Sequence, residues 1–240
     1  MLALIGGKSK NSDKNKIEKI LFSYTKKERP TVLFCPYATL NKINDSINKF
    51  HKLVEGISCE IIDLNLDNVN SFEELLIKSD ILYISGGISD DLVKFFKDNK
   101  LDIILKKYLD SDKIFIGSSA GAMLFTKVSM GDKDMFSDNY HNYNYKMVDC
   151  LGLINISICP HYQNEDLVIY NDVIKEYKLP SFGIEEDTCL VIDKNKVFIL
   201  KDYSDRSIYY FDDKNEFKVV PLYEGVEYEK DSLFRSWGDL

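Results

Sequence analysis

The amino-acid sequence predicts an α/β protein with a doubly wound, mostly parallel β-sheet and extra β-hairpins in its C-terminal part. Through the first half of the 240 residues, continuous apolar runs alternate with stretches whose apolar residues recur at the helical spacing of three to four. Such apolar strands are typical of a parallel sheet that helices cover on both faces. In the second half, strand-like runs follow one another across short polar turns, which favours hairpins.

The strands of the first half are predicted from runs of β-branched, aromatic and leucine residues. They are Leu2–Ile5, Thr31–Tyr37, Cys59–Leu64, Ile81–Ile84 and Lys113–Ile116. The first helix is marked by the spacing of Ile17, Ile20, Leu21 and Tyr24. The later helices are predicted over Ile43–Val54, Phe72–Ile77, Asp90–Phe96 and Leu101–Leu109. In sheets of this class ligands bind beyond the carboxyl ends of the strands, so a site is expected at that edge.

The second half is predicted to be richer in strands. They are Ile154–Cys159, Thr188–Ile192, Lys196–Leu200, Ser207–Phe211 and Phe217–Leu222, with one clear helix near Asp166–Tyr177. The pairing of Val191 with Val197 across Asp193-Lys194-Asn195 is typical of a hairpin. Since the chain contains no internal repeat and no Pro- or Gly-rich linker, we expect a single domain over residues 1–240, with a β-rich extension over residues 201–240.

Composition and charge exclude several classes of protein. The 31 Lys and Arg against 39 Asp and Glu leave a net charge of −8, and such an acidic body repels phosphate backbones, so no nucleic-acid partner is expected. The apolar runs are far shorter than the ~20 residues of a membrane span, and Met1–Gly7 is too short for a signal peptide. The 5 cysteines are scattered, which indicates neither a disulfide framework nor a zinc site. A cytoplasmic protein without a membrane partner is expected.

The strongest candidate for chemistry is Gly117-Ser118-Ser119-Ala120-Gly121, which follows a predicted strand and precedes an apolar helical run. This is Gly-x-Ser-x-Gly in the strand–turn–helix setting of a nucleophile on a sharp turn, where only small residues fit two positions to either side. The turn lifts the Ser119 oxygen above the sheet, and the helix N-terminus favours developing negative charge. A plain βα turn or a phosphate-binding turn is the alternative.

A serine nucleophile needs a general base within hydrogen-bond reach. Among the 3 histidines, His161 follows a predicted strand through Pro160, at a strand end over the sheet. His51 is expected on the surface of a helix, and His141 at most at the edge of a pocket. We therefore expect His161 to be the base, and the alternative is a hydrogen-bonded structural histidine.

The base in turn needs an acid that orients it, and Glu185, Glu186 and Asp187 stand just before a predicted strand. Strand alternation sends Glu185 and Glu186 to opposite faces, so only one of them can point at His161. Spacing alone does not choose between them, and a solvated acidic turn is the alternative.

Gly86-Gly87 ends the fourth predicted strand of the first half. Two small residues there can turn backbone N–H groups toward a neighbouring strand end, where they and the Ala120 N–H would form an oxyanion hole. An ordinary βα turn explains the same two residues equally well.

Patterns for nucleotide cofactors are missing. Gly7-Lys8-Ser9 resembles the end of a P-loop, but Leu2 occupies the position where that motif needs its first glycine. No Gly-x-Gly-x-x-Gly follows a predicted strand. No cofactor and no metal is therefore expected.

Four motifs in this order resemble the aspartyl dipeptidase (peptidase E) and cyanophycinase family of serine peptidases. They are Gly86-Gly87, Gly117–Ala122, Pro160-His161-Tyr162 and Gly183–Leu190, within a resemblance over roughly residues 1–200. The family's fold is similar to that of class I glutamine amidotransferases, which implies a flavodoxin-like, three-layer α/β domain. The family's order of Ser, His and acid implies that Glu186 is the acid. An α/β-hydrolase order through Asp149 would leave Glu186 unused.

The resemblance implies a serine exopeptidase that cleaves short peptides at N-terminal dipeptide or isopeptide bonds through an acyl-enzyme. Cleavage of such a small peptide substrate would need neither a metal ion nor an organic cofactor. The implied site residues are Ser119, His161 and Glu186 as the triad, Gly87 and Ala120 as the oxyanion hole, and Gly86, Ile88 and Tyr162 as substrate contacts.

The chain also departs from this family. Ile88-Ser89-Asp90 stands where relatives usually carry Asn, a small residue and an aromatic, and Gln163–Asp166 replaces arginines that cyanophycinases carry. The arginines present, Arg29, Arg206 and Arg235, do not stand where an aspartate pocket would need one. A catalytically silent binding or regulatory module and an esterase or amidase for small molecules therefore stay open. So do two roles for residues 201–240, as a cap on the sheet edge or as a homodimer contact.

Overall fold

The computed structural model describes residues 1–9, 14–39, 42–132, 145–163, 166–212 and 218–234. The strands are β1 (Leu2–Ile5), β2 (Thr31–Cys35), β3 (Glu60–Asp63), β4 (Ile81–Ile84), β5 (Ile114–Ser118), β6 (Val128–Asp132), β7 (Tyr145–Asp149), β8 (Ser157–Pro160), β9 (Ser181–Ile184), β10 (Thr188–Asp193), β11 (Lys196–Lys201), β12 (Ile208–Asp212), β13 (Lys218–Leu222) and β14 (Tyr228–Glu229). The α-helices are α1 (Lys16–Ser23), α2 (Ile43–Leu53), α3 (Phe72–Lys78), α4 (Ser89–Asp98), α5 (Leu101–Tyr108), α6 (Ala120–Leu124), α7 (Asp166–Tyr177) and α8 (Lys230–Phe234).

The first sheet has the order β14-β11-β10-β1-β5-β4-β2-β3 within the described residues. Its strands β1 to β5 are mutually parallel, whereas β10, β11 and β14 extend it antiparallel. Successive side chains of β1 enter different cores, because neighbouring residues of a strand point to opposite faces. Ala3 and Ile5 pack with α1 and α2, while Leu2 and Leu4 belong to the cluster that contains α3 to α6. The predicted doubly wound α/β sheet is confirmed.

The hairpin predicted in the second half is present as β10 and β11, but its predicted register is wrong by one residue. Val197 faces Ile192, and Val191 faces Phe198. Asp193 pairs with Lys196, so the loop consists of Lys194-Asn195 alone, with Lys194 at a φ of 52°. A two-residue loop with positive φ matches the twist of the flanking strands, and this shortens the turn that the sequence suggested.

A second, mixed sheet has the order β13-β12-β9-β8-β6-β7 within the described residues. The sequence did not predict β6, β7 or β9 as strands. Glycine, which is depleted from strands, interrupts β6 and β9, and Lys146 interrupts the short apolar run of β7. β8 and β9 are parallel neighbours in the sheet, and α7 connects them along the chain. The second half therefore contains a βαβ unit as well as hairpins.

The segment after residue 200 contributes to both sheets. β12 and β13 pair with each other and join the second sheet through β9. β14 pairs with β11 at the edge of the first sheet, where Val197 faces Tyr228. One of the roles left open for this segment, a cap on a sheet edge, is therefore observed in β14. Within the described ranges, no helix is both long enough and apolar enough to cross a membrane.

Candidate active site

Ser119 lies on a sharp turn between β5 and α6, at the carboxyl edge of the first sheet. Its φ of 52° and ψ of −116° are rare for a residue with a side chain. The Ser119 N–H donates to the Ile5 carbonyl with an N···O distance of 2.9 Å. The Ser119 carbonyl accepts from the N–H groups of Ala122 and Met123 in the first turn of α6. The backbone is therefore bonded on both sides of this strained residue.

The glycines two positions before and after Ser119 fill gaps that admit no side chain. A Cβ atom on Gly117 would lie 2.2 Å from the Gly121 carbonyl oxygen. A Cβ atom on Gly121 would lie 2.3 Å from the carbonyl oxygen of Ile84 in the adjacent strand. The close approach of these backbones is the steric reason for the Gly-x-Ser-x-Gly spacing.

His161 begins the turn after β8 and connects Ser119 to an acid. Its Nε2 lies 2.8 Å from Ser119 Oγ, and its Nδ1 lies 2.8 Å from Glu186 Oε1. With the ring proton on Nδ1, the imidazole donates to the carboxylate and Nε2 accepts the serine hydroxyl. The side chains of His161 and Glu186 are 30% and 28% exposed, so the pair is open to small molecules from solvent.

Glu185, Glu186 and Asp187, the three candidates for the orienting acid, have different hydrogen-bond partners. Glu186 bonds to His161, whereas Glu185 Oε2 accepts the Ser207 N–H at 2.9 Å. Asp187 is fully buried, and its Oδ1 accepts the Ser9 N–H at 3.3 Å. Asp149, the acid of the α/β-hydrolase order, lies in β7 opposite Val128.

The two glycines after β4 lie beside the Ser119 turn. A Cβ atom on Gly86 would lie 2.9 Å from the Cβ of Ser119. Gly87 has a φ of 151°, and a Cβ atom there would lie 2.0 Å from the Ala38 carbonyl oxygen. Ala120 is the first residue of α6, where backbone N–H groups have no intrahelical acceptor. Gly86 therefore lies against Ser119, whereas Gly87 lies against Ala38.

The other expected substrate contacts differ in accessibility. Ile88 precedes α4 and is 36% exposed, and its N–H donates to the Ala38 carbonyl. Tyr162 is only 2% exposed, and its ring packs against Tyr209 and Phe211. A Cβ atom on Gly183 would lie 2.6 Å from the Tyr162 ring, which shows how closely the ring covers that strand. Tyr162 is therefore a packing residue of the second sheet and is closed to substrate in this structure.

A pocket of about 740 Å³ opens beside the turn, on the side of α1 and α2. Tyr83, Ser85 and Gly86 line it toward the sheet, and the exposed Lys49 and Lys52 line it toward solvent. The Ser85 hydroxyl is buried and has no hydrogen-bond partner within the described residues. The pocket therefore offers a free hydroxyl next to Gly86, and both lysines and Glu55 line it elsewhere.

Of the two other histidines, the structure describes His51 alone. His51 is exposed on α2, and its Nε2 lies 2.9 Å from a carboxylate oxygen of Asp63. His141 lies outside the described residues. In the part of the chain that the structure describes, no group of three or more His, Cys, Asp and Glu side chains is arranged to hold a metal ion.

Sequence reasoning missed the role of the segment after β1. Gly7 has a φ of 121°, and a Cβ atom there would lie 2.3 Å from Cε1 of His161. Lys8 forms buried ion pairs, with its Nζ 3.0 Å from Glu18 Oε2 and 2.5 Å from Asp202 Oδ2. Gly6-Gly7 at the end of the first predicted strand indicated a close contact of the backbone, but the residue in contact with Gly7, His161, is distant in the sequence.

The buried ion pairs shift the pKa values of their members. Burial raises the pKa of Glu18, since it outweighs the attraction of the single ammonium group of Lys8. Burial alone would lower the pKa of Lys8, but the charges of Glu18 and Asp202 and the hydrogen bonds to them raise it. One carboxylate oxygen of Glu18 is buried and has no hydrogen-bond partner in the described part of the chain, which agrees with the direction of its pKa shift.

Comparison with known proteins identifies similar chains. Residues 1–200 match the model of peptidase family S51. The chain is 25% identical over 162 residues to "Uncharacterized peptidase YgaJ" of Bacillus subtilis, and the alignment covers 67% of this chain and 66% of that protein. It is 25% identical over 197 residues to "Peptidase E" of Pasteurella multocida, with 80% of each chain covered.

A solved structure shares the fold. The crystal structure of a peptidase from an acI-B1 Actinobacterium superposes with a TM-score of 0.69 and 18% sequence identity. The superposition covers 95% of this chain and 96% of that one. At this identity the likeness shows the architecture and leaves the chemistry to the residues of the site.

Proposed function

This chain belongs to peptidase family S51, a family of serine peptidases, and on that premise we propose that Ser119, His161 and Glu186 form its catalytic triad. The observation that carries the proposal is the continuous chain of contacts Ser119 Oγ, His161 Nε2, His161 Nδ1 and Glu186 Oε1, with 2.8 Å at each junction. Nucleophile, base and orienting acid have these mutual positions in serine hydrolases on unrelated folds.

The proposed reaction begins when Ser119 Oγ attacks the scissile carbonyl carbon and His161 Nε2 takes the hydroxyl proton. The bond to the amine then breaks, and His161 returns the proton to the leaving nitrogen. Water attacks the acyl-enzyme with His161 again as base, and Ser119 regains its proton as the acid product leaves. Glu186 keeps the imidazole oriented and stabilises its charged form throughout.

The N–H groups of Gly87 and Ala120 are the proposed donors to the oxyanion. Gly87 belongs to the turn after β4 and Ala120 to the first turn of α6, so the two proposed donors come from different elements. Backbone donors fixed in this way need no reorganisation when charge develops, and the loss of a single oxyanion-hole donor, a side-chain amide in the case measured, costs about 2.7–4 kcal/mol.

The proposed substrates are short peptides cleaved at an N-terminal dipeptide or isopeptide bond. Matching to "Peptidase E" of Pasteurella multocida and the limited size of the pocket beside Gly86 support this class. Gly86 and Ile88 remain proposed substrate contacts. Gly86 lines the pocket, and Ile88, two residues later in the chain, is partly exposed.

The test is hydrolysis of a dipeptide library, including α- and β-aspartyl members, by wild type and Ser119→Ala in parallel. We expect cleavage by wild type alone, and the preferred N-terminal residue identifies the side chain that the pocket accepts. Ester hydrolysis at least as efficient as that of any peptide would favour the esterase reading instead. If both folded proteins leave every peptide and ester intact, the chain is a binding module and the proposal is wrong.

A further inference from the structure

The end of β1 bonds to all three turns that carry the proposed triad. The carbonyl groups of Ile5–Gly7, in chain order, accept the N–H groups of Ser119, His161 and Asp187. Each of the three N···O distances is 2.9 Å. Asp187 directly follows Glu186, so one run of three carbonyls contacts the turn of the nucleophile, the turn of the base and the turn of the acid.

The three donors share an unusual backbone conformation. Ser119, His161 and Asp187 have φ values of 52°, 54° and 61°. Residues with side chains avoid this region, and they keep such a conformation only where surrounding structure over-determines it. The common hydrogen-bond partner of all three is the backbone of Ile5–Gly7, so this strand end determines where each turn points its side chain.

Gly7 also contacts the imidazole directly. A Cβ atom at this position would lie 2.3, 2.8 and 2.9 Å from Cε1, Nε2 and Nδ1 of His161. Three ring atoms at similar short distances mean that the ring lies over the Gly7 Cα. Real Cβ contacts are essentially never shorter than 3.0 Å, so any side chain at position 7 requires either the ring or the Gly7 backbone to move.

The segment that supports the ring is itself held firmly. Lys8 is tied to Glu18 of α1 and to Asp202 by the buried ion pairs. The Ser9 N–H donates to Asp187 Oδ1 at 3.3 Å. With Gly7 fixed between these contacts and β1, a collision at Gly7 is relieved more easily by the partly exposed imidazole than by the backbone.

We propose that Gly7 is a positioning residue of the active site. Because Gly7 has no side chain, the His161 ring packs directly on its Cα, and we call this contact the seat of the ring. The Ile5–Gly7 backbone sets the relative positions of the three turns, and the bare Gly7 Cα sets the plane of the ring between Ser119 and Glu186. The predicted effect on rate rests on the proposed function, whereas the seat itself does not.

The variant Gly7→Ala tests the inference. Displacement of the ring by about 1 Å should lower kcat and the rate of Ser119 labelling by a fluorophosphonate about 10²-fold, with KM close to wild type. Gly56→Ala is the control, because Gly56 also has a positive φ of 78°, but no atom of the described residues lies within 4 Å of a Cβ added there. Its labelling rate should stay within about twofold of wild type. Equal labelling rates for Gly7→Ala and wild type, in folded protein, would overturn the proposal.

A second measurement uses wild type and needs neither turnover nor a folded variant. In protein labelled at glycine and histidine, the seat predicts a nuclear Overhauser effect between Gly7 Hα and His161 Hε1. Its absence would overturn the inference even if Gly7→Ala does not fold. Its presence in a wild type that cleaves no peptide would support the seat while the proposed function fails, so the two failures are distinguishable.

Discussion

Glu185 and Glu186 are neighbours in the chain, but their carboxylates have different partners. Glu186 Oε1 contacts Nδ1 of His161, and Glu185 Oε2 accepts the Ser207 N–H. Strand alternation predicted that only one of the two can reach the histidine, yet it could not say which. That choice depends on how the turn before β10 meets the turn after β8, which is a long-range property of the fold.

The two glutamates supply a matched pair of variants. Glu186→Gln removes the charge that stabilises the imidazolium and allows the wrong ring tautomer, so kcat should fall by roughly 10³–10⁴-fold with little change in melting temperature. Glu185→Gln keeps an oxygen for the Ser207 N–H and should leave kcat nearly unchanged. Steady-state kinetics on the best peptide of the library measures both, and the reverse pattern would assign the acid to Glu185.

The remaining site residues were predictable to different extents. The Gly-x-Ser-x-Gly spacing predicts Ser119, since its steric cause is local. Holding such a residue at a rare φ and ψ costs on the order of 1–3 kcal/mol, and backbone hydrogen bonds of about 0.5–1.5 kcal/mol each offset part of this.

The role of Gly7 was not predictable, because the ring that excludes its side chain comes from the far half of the chain. Tyr162 stood beside a motif residue but packs in a core.

At the scale of elements, the buried ion pairs join the end of β1, helix α1 and the segment after β11. Lys8 and its partners Glu18 and Asp202 are charged side chains in a setting where unpaired charge is expensive. Two carboxylates share one ammonium group, and folding raises the pKa of Glu18 above its ordinary value of 4.5 because burial disfavours the charged form.

This shift predicts a pH dependence for stability. A raised pKa in the folded state means that the folded chain binds the Glu18 proton more tightly than the unfolded chain. The resulting stabilisation is fully present below pH 4.5 and is lost as the pH rises through the folded pKa. The free energy of unfolding of wild type minus that of Glu18→Gln should therefore fall between acid and neutral pH. Urea titrations across this range measure the difference, and a difference that grows with pH would contradict the account.

Element prediction succeeded where apolar patterns were continuous. The strands that became β1, β2, β4 and β5 lie in buried runs, and a parallel sheet covered on both faces requires such runs. β3 lies at the edge of the sheet and is only partly buried, but its apolar run was still recognisable. β9 (Ser181–Ile184) escaped prediction because Ser181 and Gly183 interrupt its pattern. Without β9, the parallel pair β8 and β9 could not be recognised, and only hairpins were expected there. The hairpin register was wrong because a two-residue loop moves every pair by one.

At the scale of the whole molecule, the two sheets share one apolar cluster. Leu4 and Phe115 of the first sheet belong to the same buried cluster as Ile158, Phe182 and Ile208 of the second. Composition predicts that a core of this kind exists, but the division of strands between two sheets depends on pairings that no local pattern encodes. A single cooperative domain over residues 1–240 stays a prediction, and the shared cluster is the reason for it.

Two fully buried phenylalanines test this prediction. Phe115→Ala and Phe182→Ala each remove a ring from a different sheet, at a cost of about 3–5 kcal/mol. If the cluster is one cooperative unit, each variant lowers the midpoint of the same single transition, and far- and near-ultraviolet circular dichroism follow it together. Two separated transitions, each sensitive to one variant only, would show that the sheets unfold as independent domains.

Site-resolved labelling with a small fluorophosphonate shows whether Ser119 is a nucleophile that His161 activates. Intact mass and peptide mapping should show one adduct on Ser119 in wild type, none in Ser119→Ala, and a much slower reaction in His161→Ala. Ser118→Ala, altered at the adjacent hydroxyl, should still be labelled at Ser119. A folded wild type that stays unlabelled while a control serine hydrolase reacts, or an adduct that persists in Ser119→Ala, would contradict the account.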